Sequence, residues 1–508
     1  MVYVPILNIA IISFQDNTDI IGAKYIHSFL IAHYYNSHLI LQPYSDTKSD
    51  SAIFQFIEDH NIQLVGISLM SSEFFRASHF AIELKCHFNS IPLVFGGIHA
   101  TIAPDDCLSV GDFVVRGEGE YTFLALIRCL EENKDYHDIP GICFKKDDTL
   151  FANPLPTLEQ NIDIFPFPQH LPQHMYVVHK NKLTLMNLKL FNSYSRYNGT
   201  FPNIITTRGC PYSCTYCCNS AYKSLYGSCY NLVRKRSVES VISECLEIIR
   251  QNKDCLSLNI QDDCFLTYSQ EWIDDFSEEY RNKIKLPLIM RTTPRHIKKE
   301  KLAALKKAGL VIVMIGLQSG SDRVNKEIYK RNVTSRDFLT ATNLVEKAGL
   351  CGYYDIILDN PYETEEDILK TLEIILQIRK PFQFQLFSLC LYQGTELYEK
   401  AKKDGISFID PRLDDYGVLS SNSLNKLIRM VPTVPAPLVR YFIRHRVNGL
   451  VTVVINLFDF INKVILTPIS FLKMMHHSYG SNFNITVKLI KAFSKTSIGK
   501  MLKIIEQK

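Results

Sequence analysis

Short apolar runs bounded by turn residues alternate with helix-period stretches through two long parts of the chain. In the first part, Leu7–Ser13, Leu39–Gln42, Leu64–Leu69, Leu93–Phe95 and Phe113–Val115 read as strands. Gly22–Tyr35 and Phe74–Phe88 read as amphipathic helices between them. Apolar strands separated by helices form a parallel sheet covered on both faces, so the fold class is α/β. Residues 1–131 are expected to make a doubly wound, flavodoxin/Rossmann-like domain. The alternation resumes near residue 201, with strands at Ile204–Thr207, Leu256–Ile260, Leu288–Arg291, Val311–Ile315, Tyr354–Leu358 and Phe384–Leu389. Helices such as Val238–Arg250 and Glu365–Ile378 separate them. Six strand–helix units over residues 201–405 predict a partial (β/α)6 barrel with its site at the C-terminal strand ends. Residues 132–200 read as a linker, with a hairpin around Gly141–Ala152 and a proline-rich crossing, IDIFPFPQHLPQH, that suits extended chain. No element or role is assigned to Met175–Tyr197. Residues 406–508 are expected to form a small α-helical, basic domain.

Composition places this alternation in a globular setting, since 46% of the 508 residues are hydrophobic and 21% charged. The opening MVYVPILNIAIISFQD has no basic segment and no small-residue cleavage site, and reads as a first strand. A reducing cytosol is therefore expected, where clustered cysteines among the 14 present point to metal or catalysis. Cys86, Cys129, Cys245 and Cys390 lie outside any cluster and read as small hydrophobes. Charge is uneven. Residues 431–508 carry eleven Lys/Arg and two acids, a net of +9 against +4 for the whole chain.

The densest chemistry is RGCPYSCTYCC at 208–218, where Cys210, Cys214 and Cys217 are spaced C-x3-C-x2-C. A structural zinc site takes four protein ligands and closes itself off. Here Cys218 adjoins Cys217 and Cys229 lies beyond a Tyr/Gly-rich stretch. Three thiols with an open position suit a metal that binds something else. The loop follows the first barrel strand, and other strand ends are polar too: Asp262 and Asp263, Arg291, Gln318 and Ser319, and Asp359. In the N-terminal part, glycine turns fall at the strand ends, in FGGIHAT (Gly96, Gly97, His99, Thr101) and RGEGE (Gly117, Glu118). Such turns allow close approach of backbone to a bulky ligand, or are simply tight turns.

The order of these pieces carries a resemblance. VGISLMSS at 65–72, VFGGIHAT at 94–101 and DFVVRGEGE at 112–120 resemble the cobalamin-binding domain that precedes many radical S-adenosylmethionine (SAM) enzymes. The resemblance implies a cobalamin site at Ser68, Gly96, Gly97, His99, Thr101, Gly117 and Glu118. The family's D-x-H-x-x-G motif appears as NTDIIG, with Asp19 where a cobalt-ligating histidine would stand. The second half resembles the radical SAM superfamily through its cysteine spacing, IQDDCF at 260–265, AGLVIVMIGLQSGSD at 308–322 and DNPYETEED at 359–367. It departs where Gln318 replaces the usual Glu, and where Asp359 and Tyr362 replace glycines. The resemblance implies that Cys210, Cys214 and Cys217 hold three irons of a 4Fe–4S cluster, leaving the fourth iron to S-adenosylmethionine. It further implies S-adenosylmethionine contacts at Tyr216, Asp262, Asp263, Arg291, Gln318 and Ser319.

The implied activity is radical methylation of an unactivated carbon with S-adenosylmethionine and cobalamin. Radical cyclisation or rearrangement of the anaerobic magnesium-protoporphyrin ester cyclase type is the alternative enzyme reading. A non-catalytic cobalamin or metal binder is the alternative of another class. A small-molecule or lipid-like substrate and a reductant such as flavodoxin or ferredoxin are expected, and no nucleic acid. The apolar stretch 449–475 is broken by Asn456, Asp459, Asn462, Lys463 and Pro468, which argues against a spanning helix. With Arg440, Arg444, Arg446, Lys473 and Lys488 around it, the tail reads either as a helical cap over the barrel mouth or as a surface helix on anionic lipid. The expected location is cytoplasmic, with peripheral membrane contact on the second reading.

Overall fold

The computed structural model describes residues 7–43, 47–147, 149–230, 233–413 and 419–479. The N-terminal unit is one nine-stranded sheet. Its strands are β1 (Asn8–Ser13), β2 (Asn36–Leu41), β3 (Leu64–Ser68), β4 (Leu93–Gly96), β5 (Phe113–Val115), β6 (Ile142–Lys146), β7 (Thr149–Ala152), β8 (Met175–His179) and β9 (Lys182–Leu185). They lie in the order β7-β6-β5-β4-β3-β1-β2-β8-β9. The five predicted strands form its parallel centre, with chain order reversing between β1 and β3. Alternate residues of β1 feed opposite layers: Ile9 and Ile11 join one core, Ala10 and Ile12 the other. Full burial of such side chains contributes about 1.5–3 kcal/mol each.

The stretch read as a linker adds both edges of this sheet. The β6–β7 hairpin, where the sequence places one, runs antiparallel from β5. Within the unassigned stretch, β8 pairs in parallel with β2 and turns back as β9. Phe165 of the proline-rich crossing is buried in the core, as is Met175.

The second unit is a six-stranded parallel sheet, β10 (Asn203–Ile204), β13 (Leu258–Ile260), β14 (Leu288–Thr292), β15 (Leu310–Gln318), β16 (Cys351–Leu358) and β17 (Phe382–Ser388), in chain order. Between β10 and β13 a short antiparallel ribbon joins β11 (Thr207–Arg208) to β12 (Arg234–Lys235). Met290, Val313, Ile315, Tyr354 and Ile356 pack outward against the helices. Residues on the other face of the strands include Arg291, Met314, Tyr353 and Asp355. Sequence and structure therefore agree on an α/β chain with a doubly wound N-terminal unit, a partial barrel and C-terminal helices.

The C-terminal helices differ from the reading in two respects. Gly449–Tyr479 is one helical run of 31 residues, long and apolar enough by length and composition to cross a bilayer, so the polar residues do not break it. Two of them lie on its packed side instead: Asp459 is buried and ion-paired to Arg429, and Asn462 is buried against Thr433. Nor does the run cap the barrel mouth. Met474, Met475 and Tyr479 pack on Ile289, Ile312 and Cys351, near the starts of β14, β15 and β16. That is the end opposite the C-terminal strand ends. Lys488 and all other tail residues beyond Tyr479 lie outside the described residues.

Candidate functional site

The thiol loop leaves β11 and ends where the helix Cys218–Tyr226 begins. Neighbouring structure holds it from three sides. Thr215 N–H donates to the Tyr329 carbonyl (3.0 Å), Thr215 Oγ1 donates to the Ile328 carbonyl (2.7 Å), and Leu397 N–H donates to the Thr215 carbonyl (2.9 Å). Tyr216 packs edge-on against Tyr329, ring centroids 4.8 Å apart. Cys210, Cys214 and Cys217 are each partly buried. Burial raises the Cys210 and Cys214 thiols, with Arg331 opposing the rise at Cys214. The Cys217 thiol is raised first by its hydrogen bond with the Cys218 thiol and then by burial. Cys218 thus leans on its neighbour rather than pointing away. Three soft thiol donors within eight residues suit a multi-iron cluster, which takes thiolates at separate irons. Metal binding would drive out the protons that burial retains.

Around this loop the strand-end residues separate into two kinds. Asp262 is fully buried and accepts from Thr206 N–H (2.6 Å), Thr206 Oγ1 (2.5 Å) and Thr207 N–H (3.2 Å). Burial lifts its carboxyl to about 6 against those bonds. It pins the chain entering the thiol loop. Asp263 accepts from Asn219 Nδ2 (2.9 Å), beside the loop. Arg291 pairs with Asp355 at 2.8 Å, leaving Arg291 Nε and Asp355 Oδ1 buried without hydrogen bonds. Gln318 closes β15 at φ +66, and its Oε1 is likewise buried and unpartnered. Orphaned polar atoms at strand ends fit a polar ligand that the chain alone does not satisfy. Asp359 anchors the C-terminal region, accepting from Asn425 Nδ2 (2.8 Å), Ser420 N–H (2.9 Å) and Ser388 Oγ (3.1 Å).

Sequence reasoning missed Arg331, Asp355 and Glu363. Arg331 is buried, and its guanidinium donates to the carbonyls of Leu317 (2.9 Å) and Gly316 (2.7 Å), placing a cation near Cys214. Glu363 is 2.6 Å from Ser319 Oγ, and burial lifts its carboxyl to about 7 despite that bond. Its folded value exceeds the unfolded one, so its contribution is whole below the ordinary range and is lost as pH rises through about 7. Urea midpoints at pH 5 and pH 8 check this: the parent is expected to lose more stability across the interval than Glu363→Gln.

In the N-terminal unit a cavity of about 380 Å³ opens at the β1/β3 reversal, where doubly wound sheets bind ligands. Ser68, Gly96, Gly97, Gly117 and Glu118 line it, with apolar walls from Ile11, Val94 and Phe123. Gly97 has φ +93, and a Cβ there would stand 2.7 Å from the Leu69 carbonyl oxygen. Gly97→Ala is accordingly expected to cost about 1–3 kcal/mol, read as a lower unfolding midpoint. Thr101 does not line the cavity; it ties the two glycine turns together, accepting from Gly117 N–H (3.0 Å) and donating to the Gly97 carbonyl (2.8 Å). His99 is also placed elsewhere. It is fully buried, with Nδ1 3.1 Å from Ser71 Oγ and Nε2 3.4 Å from Asp106. Among the described residues no histidine lines the cavity, and Asp19 lies outside it, 3.9 Å from Arg196.

The two sites share a seam. Tyr222, on the helix that starts after Cys217, lines the cavity, as does Arg208 of β11. Arg208 reaches Glu118 (3.0 Å) and Glu120 (2.6 Å), while Arg234 of β12 pairs with both oxygens of Glu118. Glu118 N–H donates to Tyr226 Oη at 3.1 Å. Tyr222 follows Cys217 by five positions along this helix, a rise of about 8 Å.

Residues 204–375 match the radical SAM superfamily, and residues 7–127 match the B12 binding domain. An uncharacterized methyltransferase of Pyrococcus horikoshii, PH0819, is 25% identical over 69% of this chain and 72% of its own. The anaerobic magnesium-protoporphyrin IX monomethyl ester cyclase of Synechocystis is 24% identical over 72% of this chain and 70% of its own. In fold, the chain resembles the cobalamin-dependent S-adenosylmethionine radical enzyme OxsB, with a TM-score of 0.64 and 14% identity over 99% of this chain and 81% of that one. It also resembles the radical S-adenosylmethionine methyltransferase TsrM of Kitasatospora setae, with a TM-score of 0.63 and 15% identity over 78% and 76%. The B12-binding domain holds the glycine-walled cavity and the radical SAM domain the thiol loop, and this chain joins the two.

Proposed function

We propose that this enzyme methylates an unactivated carbon of a small molecule. The radical SAM domain brings a 4Fe–4S cluster and S-adenosylmethionine as cofactors, and the B12-binding domain brings cobalamin. When bound, the cluster supplies the electron that cleaves S-adenosylmethionine, and cobalamin carries the methyl group. The observation that carries the reading is the shared seam, in which one helix starts at the last thiol and walls the cobalamin cavity with Tyr222.

The chain's own residues have distinct tasks on this reading. Cys210, Cys214 and Cys217 hold the cluster, and Tyr216 against Tyr329 keeps their loop in place. Arg331 supplies positive charge beside thiolates that would otherwise resist ionisation. Gln318 and Arg291 offer unpartnered polar atoms to S-adenosylmethionine, while Ser319 is occupied by Glu363. Asp262 holds the loop through Thr206 and Thr207. Ser68, Gly96, Gly97 and Gly117 leave room for cobalamin. An external flavodoxin or ferredoxin reduces the cluster, in the cytoplasm. Ring closure is the second reading, favoured by the protoporphyrin ester cyclase relatives.

The test is anaerobic reconstitution with iron, sulfide and cobalamin, followed by reduction with methyl-labelled S-adenosylmethionine. Label on cobalamin and on a product supports methylation. Cleavage to deoxyadenosine with no label transferred points to cyclisation or rearrangement, and the absence of both removes the enzyme reading.

A further inference from the structure

The helical run Gly449–Tyr479 buries Asp459 and Asn462 on its packed side and leaves large apolar side chains exposed on the other. Asp459 accepts from Arg429 Nη1 (2.8 Å) and from Lys463 Nζ (2.8 Å), and it is buried. Asn462, fully buried, donates to the Arg429 carbonyl (3.2 Å), and Lys426 Nζ donates to Asn456 Oδ1 (2.8 Å). The helix Ser423–Met430 thus answers most of the polar residues that interrupt the apolar run. The opposite side is left to Leu450, Val453, Leu457, Phe460 and Val464, which are 80, 65, 57, 64 and 47% exposed. Their spacing of three and four residues makes one stripe, and Val454, Ile465 and Ile469 widen it. A contiguous apolar surface of this kind marks a contact face.

Charge selects the partner. Within 431–479 there are five Lys/Arg and a single acid, the neutralised Asp459. Arg440 and Arg444, on the preceding helix, and Lys473, on the same run, are exposed. A second copy would set this positive surface against itself. The chain's own residues 480–508, with six Lys and one Glu, carry the same sign. An anionic partner with a broad apolar interior meets both requirements, and an anionic lipid surface has both. The helix lies along the protein, because Met474, Met475 and Tyr479 are buried on the barrel strands and crossing a bilayer would strip them away.

We infer that the Gly449–Ile469 face seats in the interfacial layer of an anionic membrane, with the helix in the membrane plane. This surface is independent of the cofactor sites. The experiment is sedimentation of the full chain with phosphatidylcholine vesicles, with and without phosphatidylglycerol. The chain is expected to sediment with the anionic vesicles and to come off in high salt. Leu457→Asp with Phe460→Asp, at exposed positions, is expected to lower the bound fraction about tenfold or more without changing the unfolding midpoint. Phe460→Trp is expected to be quenched by lipids brominated near the headgroup. The inference is overturned if the intact chain stays in the supernatant, or if the double variant binds like the parent. It is equally overturned if vesicles bind only after residues 480–508 are removed, if the double variant merely converts a dimer to monomer, or if quenching is strongest from the bilayer centre.

Discussion

Replacing any one of Cys210, Cys214 and Cys217 by alanine will remove the cluster and bring deoxyadenosine formation to background. On the proposed function each thiolate holds a different iron, so no two can stand in for three. The loop itself should survive, since Thr215, Tyr216 and the Leu397 contact fix it without the thiols. Loss of activity with an unchanged unfolding midpoint in the metal-free chain would therefore isolate the chemical role. Cys218→Ala is the control. Its thiol hydrogen-bonds that of Cys217 and shifts its ionisation, so this variant should keep the cluster while altering how readily it assembles as pH falls. Iron and sulfide content, the cluster's visible absorbance and single-turnover cleavage of S-adenosylmethionine check all four variants. A Cys218→Ala chain without cluster, beside a Cys217→Ala chain that retains it, would reverse the ligand assignment.

Much of this site was legible because its signals are local. Three thiols within eight residues need no tertiary information, and a glycine pair at a strand end announces a turn whatever surrounds it. The parallel strands were equally plain, being buried on both faces and therefore apolar throughout. Edge strands were not. Lys182–Leu185 has no fully buried residue, so it lacks the alternation that marks a half-buried strand. Asp262 looked like a ligand because it follows a strand, and only the fold shows its carboxylate spent on Thr206 and Thr207. Arg331 lies thirteen residues beyond the end of β15 and reaches back to that strand's carbonyls, a path that no periodicity reports. His99 sat in the right turn but points into the core. The tail carried a signal that went unread: Asn456, Asp459 and Lys463 recur at i, i+3 and i+7, which gathers them on one side of a helix instead of ending it.

Breaking the Glu118 clamp will separate the two halves of the enzyme. Arg234 is 3% exposed and Glu118 is 22% exposed, so removing either partner strands a mostly buried charge. The expected cost is about 3–5 kcal/mol for Arg234→Met. Arg208 still reaches Glu118 and Glu120 and will recover part of it, so Arg234→Met combined with Glu118→Gln should cost less than the sum of the single changes. Calorimetry should then resolve the N-terminal sheet and the barrel as separate transitions, with faster hydrogen exchange in Arg116–Glu120 and Arg234–Lys235. The acid limb gives an independent check. Burial opposes ionisation of Glu118, yet the Arg234 and Arg208 guanidiniums hold its carboxyl below the usual range. Its contribution is therefore present above the ordinary carboxylate value and disappears as pH falls through the lowered one. Glu118→Gln should flatten that acid limb. Because Glu118 and Arg208 also line the cavity, these variants should release cobalamin faster while leaving cluster content unchanged. A variant that loses cluster and cobalamin together would mean that the seam supports the whole fold, not the registry between its two sites.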